Sequence, residues 1–318
     1  MIPIDLITGF LGAGKTTFLL RYARWLQDQG LSVGVLVYDH GAANVDLPLL
    51  RSLRSERCEI ETLAGGCGAD CHRRRFRTRL IAMAMAGYDR VLIEPSGVFD
   101  MDEFFDTINE PPLDRRYEAG SVIAVVDAKL SDRATPEEDF FLASQAANAG
   151  CVVLSRCQLA SQEEIAGALS HLGRAAEAIR CRPMPGGNVL AKDWDALTDA
   201  DFRMLMNCGW RTADYEKRIA GREGEFQSLS FLDLPLDGAA LLEKAGTLFH
   251  DASLGHVLRV KGFYEEAGQW YQFNATADEI RTEPVPESRA ALLVIGSALN
   301  EDGINLLLTG RRPEHHIL

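Results

Sequence analysis

Nine consecutive residues near the amino terminus, Gly9-Phe10-Leu11-Gly12-Ala13-Gly14-Lys15-Thr16-Thr17, have the composition and spacing of a loop that binds phosphate. Glycines let backbone N–H groups curl around a β-phosphate, and the start of a following helix adds positive potential. In this pattern Lys15 reaches the β- and γ-phosphates, and the hydroxyl of Thr16 is a ligand for Mg²⁺. The motif therefore predicts a nucleoside triphosphate site made by Gly9, Gly12, Ala13, Gly14, Lys15, Thr16 and Thr17.

Three carboxylates further along the chain have positions that suit the same site. The apolar stretch 91–94 ends in Glu94, and a carboxylate at a strand end beside a phosphate loop holds Mg²⁺ or orients the attacking water. Asp39 follows the apolar stretch 33–38, and Asp46 lies in the next loop, where a carboxylate senses the γ-phosphate and its metal. A surface glutamate and an ordinary polar loop are the alternatives. We predict catalytic roles for Lys15, Asp39 and Glu94, and Mg²⁺ ligation by Thr16, Asp39, Asp46 and Glu94.

The residues around these motifs predict the elements that position them. The stretch 2–8 is short, apolar and rich in isoleucine, as expected of a strand buried on both faces. The helix after the loop has one apolar face, formed by Leu19, Tyr22, Ala23 and Leu26. Further strands are predicted at 33–38, 91–94, 121–127 and 151–155, with helical stretches between several of them. This alternation predicts an α/β fold with a mostly parallel sheet covered on both faces.

The pattern changes in the second half of the chain. Residues 183–224 are rich in glycine, proline and charge, and predict a linker with a short helix around 200–206. Strands are predicted at 226–234, 256–264, 269–276 and 290–298, and helices at 239–249 and 300–308. This pattern suits an antiparallel sheet with helices. We therefore expect a nucleoside-triphosphatase domain at 1–182, a linker at 183–224, and a smaller C-terminal α+β domain at 225–318.

Composition excludes several classes of protein. The 318 residues are 47% apolar and 25% charged, which is typical of globular domains. The net charge of −13 argues against a nucleic-acid partner, because phosphates call for a basic surface. Apolar runs stay below the roughly 18 residues of a membrane span, so no membrane partner is expected. The amino terminus lacks the features of a signal peptide, and the seven cysteines predict reduced thiols in a cytoplasmic protein.

The motifs resemble those of the CobW-like family of P-loop GTPases, which are relatives of the GTPases that help insert nickel into urease and hydrogenase. The matching segments are GFLGAGKTT at 9–17, Tyr38-Asp39-His40-Gly41 with Asp46, Glu94-Pro95-Ser96-Gly97, VVDA at 125–128, and Gln145. The resemblance implies an NTPase domain joined to a small C-terminal α+β domain. It also implies metal trafficking or metallocofactor assembly for a metalloprotein or cofactor-dependent client, and a homo-oligomer is compatible with it.

The guanine-reading motif departs from the family pattern. The family has Asn-Lys-x-Asp after the strand at 151–155, whereas this chain has Ser155-Arg156-Cys157-Gln158. The aspartate accepts two hydrogen bonds from guanine, which Gln158 cannot do in that way, while a glutamine amide can pair with adenine. Arg156 could stack on a base. We predict base contacts from Ser155, Arg156 and Gln158, and GTP, ATP and loss of productive binding all remain open.

The metal-binding motif departs as well. The family has Gly-Cys-x-Cys-Cys, whereas this chain has Gly66-Cys67-Gly68-Ala69-Asp70-Cys71-His72. Two sulfurs with an imidazole or a carboxylate can make a four-coordinate site for Zn²⁺ or Co²⁺. We predict that Cys67 and Cys71 bind a transition metal together with Asp70 or His72. In the alternative, Asp70 only caps the next helix and the thiols are inert.

These predictions define a function and its alternatives. The leading hypothesis is a slow nucleoside triphosphatase that couples the binding and hydrolysis of GTP or ATP to delivery of a divalent metal or to metallocofactor assembly. The alternative is a nucleotide-dependent switch that remodels or reactivates a partner enzyme without carrying metal. A third hypothesis, a degenerate structural subunit, predicts no triphosphate binding at all.

Overall fold

The computed structural model describes residues 1–39, 50–64, 69–130, 134–217, 226–234, 236–277, 279–285 and 288–310. These residues form two compact units. The first contains Met1–Asp39 and the described residues of Leu50–Arg218, and the described residues from 226 onward belong to the second. Each unit has its own sheet and its own hydrophobic core.

The first unit is built on a parallel sheet. Its strands are β1 (Ile2–Thr8), β2 (Val33–Asp39), β3 (Cys58–Ala64), β4 (Arg90–Glu94), β5 (Tyr117–Asp127), β6 (Cys151–Ser155) and β7 (Val189–Leu190). Their order across the sheet is β3-β2-β4-β1-β5-β6-β7, and every pair is parallel. The strand that enters the glycine-rich loop is thus central, with a neighbour on each side.

Helices connect these strands. They are α1 (Lys15–Asp28), α2 (Ala69–Ala86), α3 (Met101–Asn109), α4 (Pro136–Ala147), α5 (Gln162–Ala178) and α6 (Asp199–Met206). The predicted apolar face of α1 is buried, and Leu19, Tyr22 and Leu26 are fully inaccessible. Strands that alternate with helices in a parallel sheet confirm the predicted α/β fold. Within the described residues, no helix combines the length and apolar character needed to cross a membrane.

The register of the sheet brings the ends of five strands to one edge. Leu6 in β1 is level with Ile93 in β4, and Val37 in β2 is level with Glu94. On the other side of β1, Ile7 is level with Ile123, and Asp127 at the end of β5 is level with Ser155 at the end of β6. Ligand sites of parallel sheets lie beyond this carboxyl edge, so the register already places the candidate site.

One buried carboxylate lies inside β1, below that edge. Asp5 is fully buried, and Arg90 Nη1 donates to both of its oxygens at 2.6 Å. The hydroxyl of Tyr22 donates to Asp5 at 2.7 Å and the backbone N–H of Ser121 at 2.8 Å. Burial raises the pKa of Asp5, and the neighbouring Arg90 opposes that shift. The network fixes β1 to β4, to β5 and to α1 at once.

The segment predicted as a linker is largely part of the first unit. Through residue 217 it is grouped with the parallel sheet, and its β7 pairs with β6. Phe202 of α6 stacks on Trp25 and Tyr22 of α1, at ring-centroid distances of 5.5 and 6.3 Å. The Gly-Pro composition that suggested a linker is concentrated at 183–187, while the residues that follow carry aromatic side chains that pack on α1.

The described residues of the second unit form an antiparallel sheet and two helices. Its elements are β8 (Phe226–Leu232), α7 (Gly238–His250), β9 (His256–Glu266), β10 (Gln269–Ala275), β11 (Ile280–Val285), β12 (Ala291–Ser297) and α8 (Glu301–Thr309). The strand order is β11-β10-β9-β12-β8. Leu241 and Leu248 of α7 and Ile304 of α8 share a core with Val260 and Val294 of the sheet. The predicted C-terminal α+β architecture is confirmed.

Candidate nucleotide and metal site

The glycine-rich loop follows β1 and ends at the first turn of α1. Its backbone needs glycine at position 9, because φ there is +139° and a Cβ would overlap the carbonyl oxygen of Val125 in β5. The chain therefore turns tightly against the neighbouring strand and leaves the start of α1 directed at the carboxyl edge of the sheet. Such a helix start, preceded by glycines, is suited to anions.

Lys15 is the first residue of α1 and is only 8% exposed. Its Nζ donates to the carbonyl oxygen of Gly9 at 3.0 Å and to that of Phe10 at 3.4 Å. The ammonium group therefore lies over the loop itself. A cation held in this position provides the positive charge that a bound polyphosphate requires.

Thr16 and Glu94 are brought together although 78 positions separate them. Thr16 Oγ1 donates to Glu94 Oε1 at 2.7 Å, and Glu94 is only 5% exposed at the end of β4. A hydroxyl and a carboxylate at a phosphate-binding loop form the hard oxygen donor set that Mg²⁺ prefers. The residues present thus fit a magnesium ion.

The turn after Glu94 packs directly on the glycine-rich loop. A Cβ at Gly97 would lie 2.6 Å from the backbone nitrogen of Leu11 and 2.9 Å from the carbonyl carbon of Phe10. Only glycine permits this approach, since real side chains almost never come closer than 3.0 Å. The turn and the loop are therefore packed directly against each other.

Gln145 of α4 contacts both the strand that leads into the glycine-rich loop and the segment that follows the Glu94 turn. It is 1% exposed, its side-chain oxygen accepts a hydrogen bond from the hydroxyl of Thr8, and Nε2 donates to the carbonyl oxygen of Phe99 at 2.6 Å. Thr8 ends β1, and Phe99 follows the turn after Glu94. The sequence singled out Gln145 only by resemblance, and the contacts indicate that it positions the loop and the turn.

The predicted base-reading residues lie at the end of β6. Ser155 is 3% exposed, and its Cβ is 3.5 Å from the point that a Cβ of Gly14 would occupy. Arg156 has a left-handed backbone, with φ of 58°, and forms an ion pair with Asp127. Gln158 is exposed in the short 3₁₀ turn Cys157–Leu159. Ser155 thus lies beside the phosphate loop, while Gln158 faces solvent.

Comparison with known proteins identifies the family. Residues 3–181 match the protein-family model described as CobW/HypB/UreG, nucleotide-binding domain. The chain belongs to the CobW/HypB/UreG family. The match covers the parallel sheet from β1 to β6, and with it the phosphate loop and the strand that ends in Glu94.

Two curated relatives of this CobW/HypB/UreG chain are named as zinc chaperones. It is 29% identical to "Zinc chaperone YjiA" of Escherichia coli over 171 residues, which is 51% of this chain and 52% of that protein. It is 28% identical to "Zinc chaperone CobW" of Pseudomonas aeruginosa over 306 residues, which is 82% of this chain and 76% of that protein. The crystal structure of Zn(II)-bound YjiA GTPase from E. coli matches at 18% identity, covering 98% of this chain and 99% of that chain, with a TM-score of 0.38.

Replacing Gly97 by alanine in this CobW/HypB/UreG protein is expected to lower nucleoside triphosphate hydrolysis by about 10- to 100-fold, because small displacements of a binding loop have effects of that size. The added methyl group would push Leu11 and Phe10 away from the turn that carries Glu94. Steady-state kinetics with GTP and ATP measures the effect. Gly173→Ala in α5 is the matched control, because a Cβ there meets nothing within 4 Å. Equal rates for Gly97→Ala and Gly173→Ala would contradict the prediction.

The predicted metal ligands of this CobW/HypB/UreG chain lie only partly within the described residues. Asp39 is the last residue of β2, two positions beyond the residue level with Glu94. Asp46 and Cys67 lie outside the described residues. Asp70, Cys71 and His72 belong to the first turn of α2, and the structure describes their backbone but not their side chains. The described residues contain no group of three histidine, cysteine, aspartate or glutamate side chains suited to a metal ion.

Sequence reasoning missed one acidic residue close to α2. Burial, and then the neighbouring Asp100, raise the pKa of Glu103 in α3 to about 7, and Arg73 of α2 opposes the shift. Arg73 itself pairs with Glu110 at 2.5 Å. The sequence carried no signal for this group: Asp100 caps the same helix, but the burial of Glu103 and its proximity to Arg73 of α2 arise only in the fold.

Proposed function

We propose that this chain is a GTPase that couples the binding and hydrolysis of nucleotide to the delivery of a divalent metal, with Zn²⁺ as the cargo. The observation that carries the proposal is the contact of 2.7 Å between Thr16 and Glu94 at the mouth of the phosphate loop. The names of the two curated relatives, both zinc chaperones, favour metal delivery over a switch that carries no metal.

Different residues of the chain have different roles in hydrolysis. Backbone N–H groups of the loop and the start of α1 bind the phosphates, and Lys15 neutralises their charge. Thr16 and Glu94 would hold Mg²⁺, which when bound would supply positive charge to the phosphates. Asp39 and Asp46 would respond to the γ-phosphate. Positioning and charge stabilisation supply the catalysis, so slow turnover that a partner accelerates is expected.

GTP is the proposed nucleotide because the CobW-like family is one of P-loop GTPases. The chain lacks the aspartate that reads guanine, and Gln158 at that place is exposed. We therefore expect weaker discrimination against ATP than a guanine-reading aspartate provides, since an aspartate that pairs with both guanine donors rejects other bases strongly.

The cargo would be held by the segment that leads from β3 into α2. Cys67 and Cys71, with Asp70 or His72, offer the sulfur, oxygen and nitrogen ligands that suit Zn²⁺, and Co²⁺ is the second candidate. The segment lies in the chain between the Asp39 loop and the Glu94 strand, so hydrolysis can alter the ligand geometry. The client would be a metalloprotein or cofactor-dependent enzyme in the cytoplasm.

Zinc binding with and without the thiols tests the cargo half of this proposal. The full chain should bind Zn²⁺ with submicromolar affinity, and Cys67→Ala and Cys71→Ala should each weaken it by about 10- to 100-fold. Cys58→Ala is the matched control, because burial raises the pKa of that thiol to about 11 and makes it a poor ligand. Competition with a chromogenic chelator measures the affinities.

GTP hydrolysis measured in the same preparations separates the nucleotide part of the proposal from the metal part. Lys15→Ala should abolish GTP hydrolysis and leave zinc binding in place, since the lysine lies over the phosphate loop. A wild-type protein that hydrolyses GTP but binds no zinc would overturn the metal half. A protein that neither binds nor hydrolyses a triphosphate would overturn the whole.

A further inference from the structure

Trp194, which lies in the segment predicted as a linker, is anchored beside the end of β6. Its indole Nε1 donates to the carbonyl oxygen of Leu154 at 2.9 Å. Leu154 directly precedes Ser155, the first of the residues expected to read the base. The indole therefore belongs to the carboxyl edge of the sheet, although it lies outside the region that the family model matches.

The same indole lies beside the phosphate loop. Atom Cη2 of Trp194 is 3.2 Å, and the Cβ of Ser155 3.5 Å, from the point that a Cβ of Gly14 would occupy. Gly14 caps the amino terminus of α1. Trp194, Ser155 and the last glycine of the loop thus surround one position at the start of the phosphate-binding helix.

The ring is held in a fixed orientation. It packs edge-on against Phe18 of α1, with 5.4 Å between ring centroids and 63° between ring planes. Arg21 of α1 donates to the carbonyl oxygen of Trp194 at 3.3 Å and pairs with Asp195 at 2.7 Å. Trp194 nevertheless stays only half-buried, so part of the indole is accessible to a ligand. A rigid aromatic surface of this kind binds without a large loss of entropy.

Ser155 gives a second, independent indication that a ligand lies here. It is 3% exposed, and within the part of the chain that the structure describes its Oγ makes no hydrogen bond. A buried hydroxyl without a partner is unfavourable, and in native structures it commonly meets a water molecule or a ligand. Ser155 lies beside the loop and directly follows Leu154, the residue to which Trp194 is anchored.

We propose that the indole of Trp194 forms the wall of the pocket for the nucleoside part of the bound triphosphate, with the hydroxyl of Ser155 as the polar group beside it. This inference rests on the proposed function, because it assumes that a nucleotide binds at the loop. The start of α1 is suited to phosphates, and Trp194 and Ser155 lie beside Gly14 at that start, so both are placed to contact the nucleoside joined to those phosphates. Aromatic walls accept any base, so Trp194 contributes affinity for GTP and ATP alike.

Binding of three probes, GTP, ATP and inorganic tripolyphosphate, each with Mg²⁺, tests the inference in the full chain. Trp194→Leu should weaken the binding of GTP and of ATP by at least about tenfold, which is the size expected for an aromatic contact to one base. The affinity for tripolyphosphate should stay within about twofold of the wild-type value. Trp194→Phe should recover most of the affinity. Ser155→Ala should weaken the two nucleotides and not tripolyphosphate. Calorimetry measures all four proteins.

Tryptophan emission supplies a readout that a purely structural role would not move. The change in emission on adding GTP should be present in the wild type and in the control Trp210→Phe, and absent in Trp194→Phe. Trp210 is a suitable control because its indole packs at a tilt against Phe105. If Trp194→Leu fails to fold, this comparison still tests whether the indole contacts the bound nucleotide.

Two results would overturn the inference while leaving the proposed function intact. In the first, Trp194→Leu binds GTP as tightly as the wild type. In the second, Trp194→Leu weakens the binding of tripolyphosphate as much as that of GTP, which would mean that the indole only supports the loop. Failure of the wild type to bind any of the three probes would instead overturn the proposed function.

Discussion

Replacing Arg90 by methionine is expected to lower the free energy of unfolding by about 3–5 kcal/mol, the usual cost of breaking a buried ion pair from one side. Arg90 contacts both oxygens of Asp5, which is fully buried in the central strand. Without the guanidinium, Asp5 keeps the hydrogen bonds from Tyr22 and Ser121, but its buried carboxylate loses the positive charge beside it. Urea denaturation followed by circular dichroism measures the loss.

The double variant Asp5→Asn/Arg90→Met is the control for this prediction. It removes both charges, so most of the lost stability should return. The loss should also shrink at low pH. Burial raises the pKa of Asp5, and removal of Arg90 raises it further, so the folded variant binds a proton more readily than the unfolded chain and is destabilised as pH rises. A loss below about 1 kcal/mol, the range of exposed pairs, would show that the pair contributes little.

Replacing Glu94 by glutamine is expected to lower the rate of GTP hydrolysis by about 10²–10³-fold, as when one electrostatic group of an active site is removed. The amide has nearly the same shape and can still accept the hydrogen bond from Thr16. It lacks the negative charge that a magnesium ligand supplies. Initial rates over a range of Mg²⁺ concentrations measure the effect, and the Mg²⁺ requirement of the variant should increase.

Glu118→Gln is the matched control for Glu94→Gln, because Glu118 is an exposed residue of β5. Thr16→Ser keeps the hydroxyl and should remain active, whereas Thr16→Val should behave like Glu94→Gln. If Glu94→Gln hydrolyses GTP at the wild-type rate and with the wild-type Mg²⁺ requirement, the assigned role of this carboxylate is wrong.

Features that depend on consecutive residues could be predicted from the sequence. The strand 2–8 and the apolar face of α1 are found where the pattern indicated them, because burial on a regular element repeats with its period. Even the pairing of Thr16 with Glu94 was accessible, since the ends of parallel strands share one edge of the sheet.

Other features that depend on tertiary contacts could not be predicted. The strand Cys58–Ala64 carries two glutamates and lies at the sheet edge, so its pattern lacks the apolar run of a buried strand. The strand Ile280–Val285 contains Pro284, which edge strands tolerate. Asp5 looked only like a polar interruption, because its partner Arg90 is 85 positions away.

The aromatic side chains on α1 determine where this domain can be divided. A fragment of residues 1–181 would contain the whole region that the family model matches, but neither Trp194 nor Phe202. Trp25 and Tyr22, which also stack on each other, would then lose their contact with Phe202, and that side of the pair would face water. Such a fragment would carry an exposed aromatic patch on the helix that begins at the phosphate loop. We expect it to self-associate through this patch.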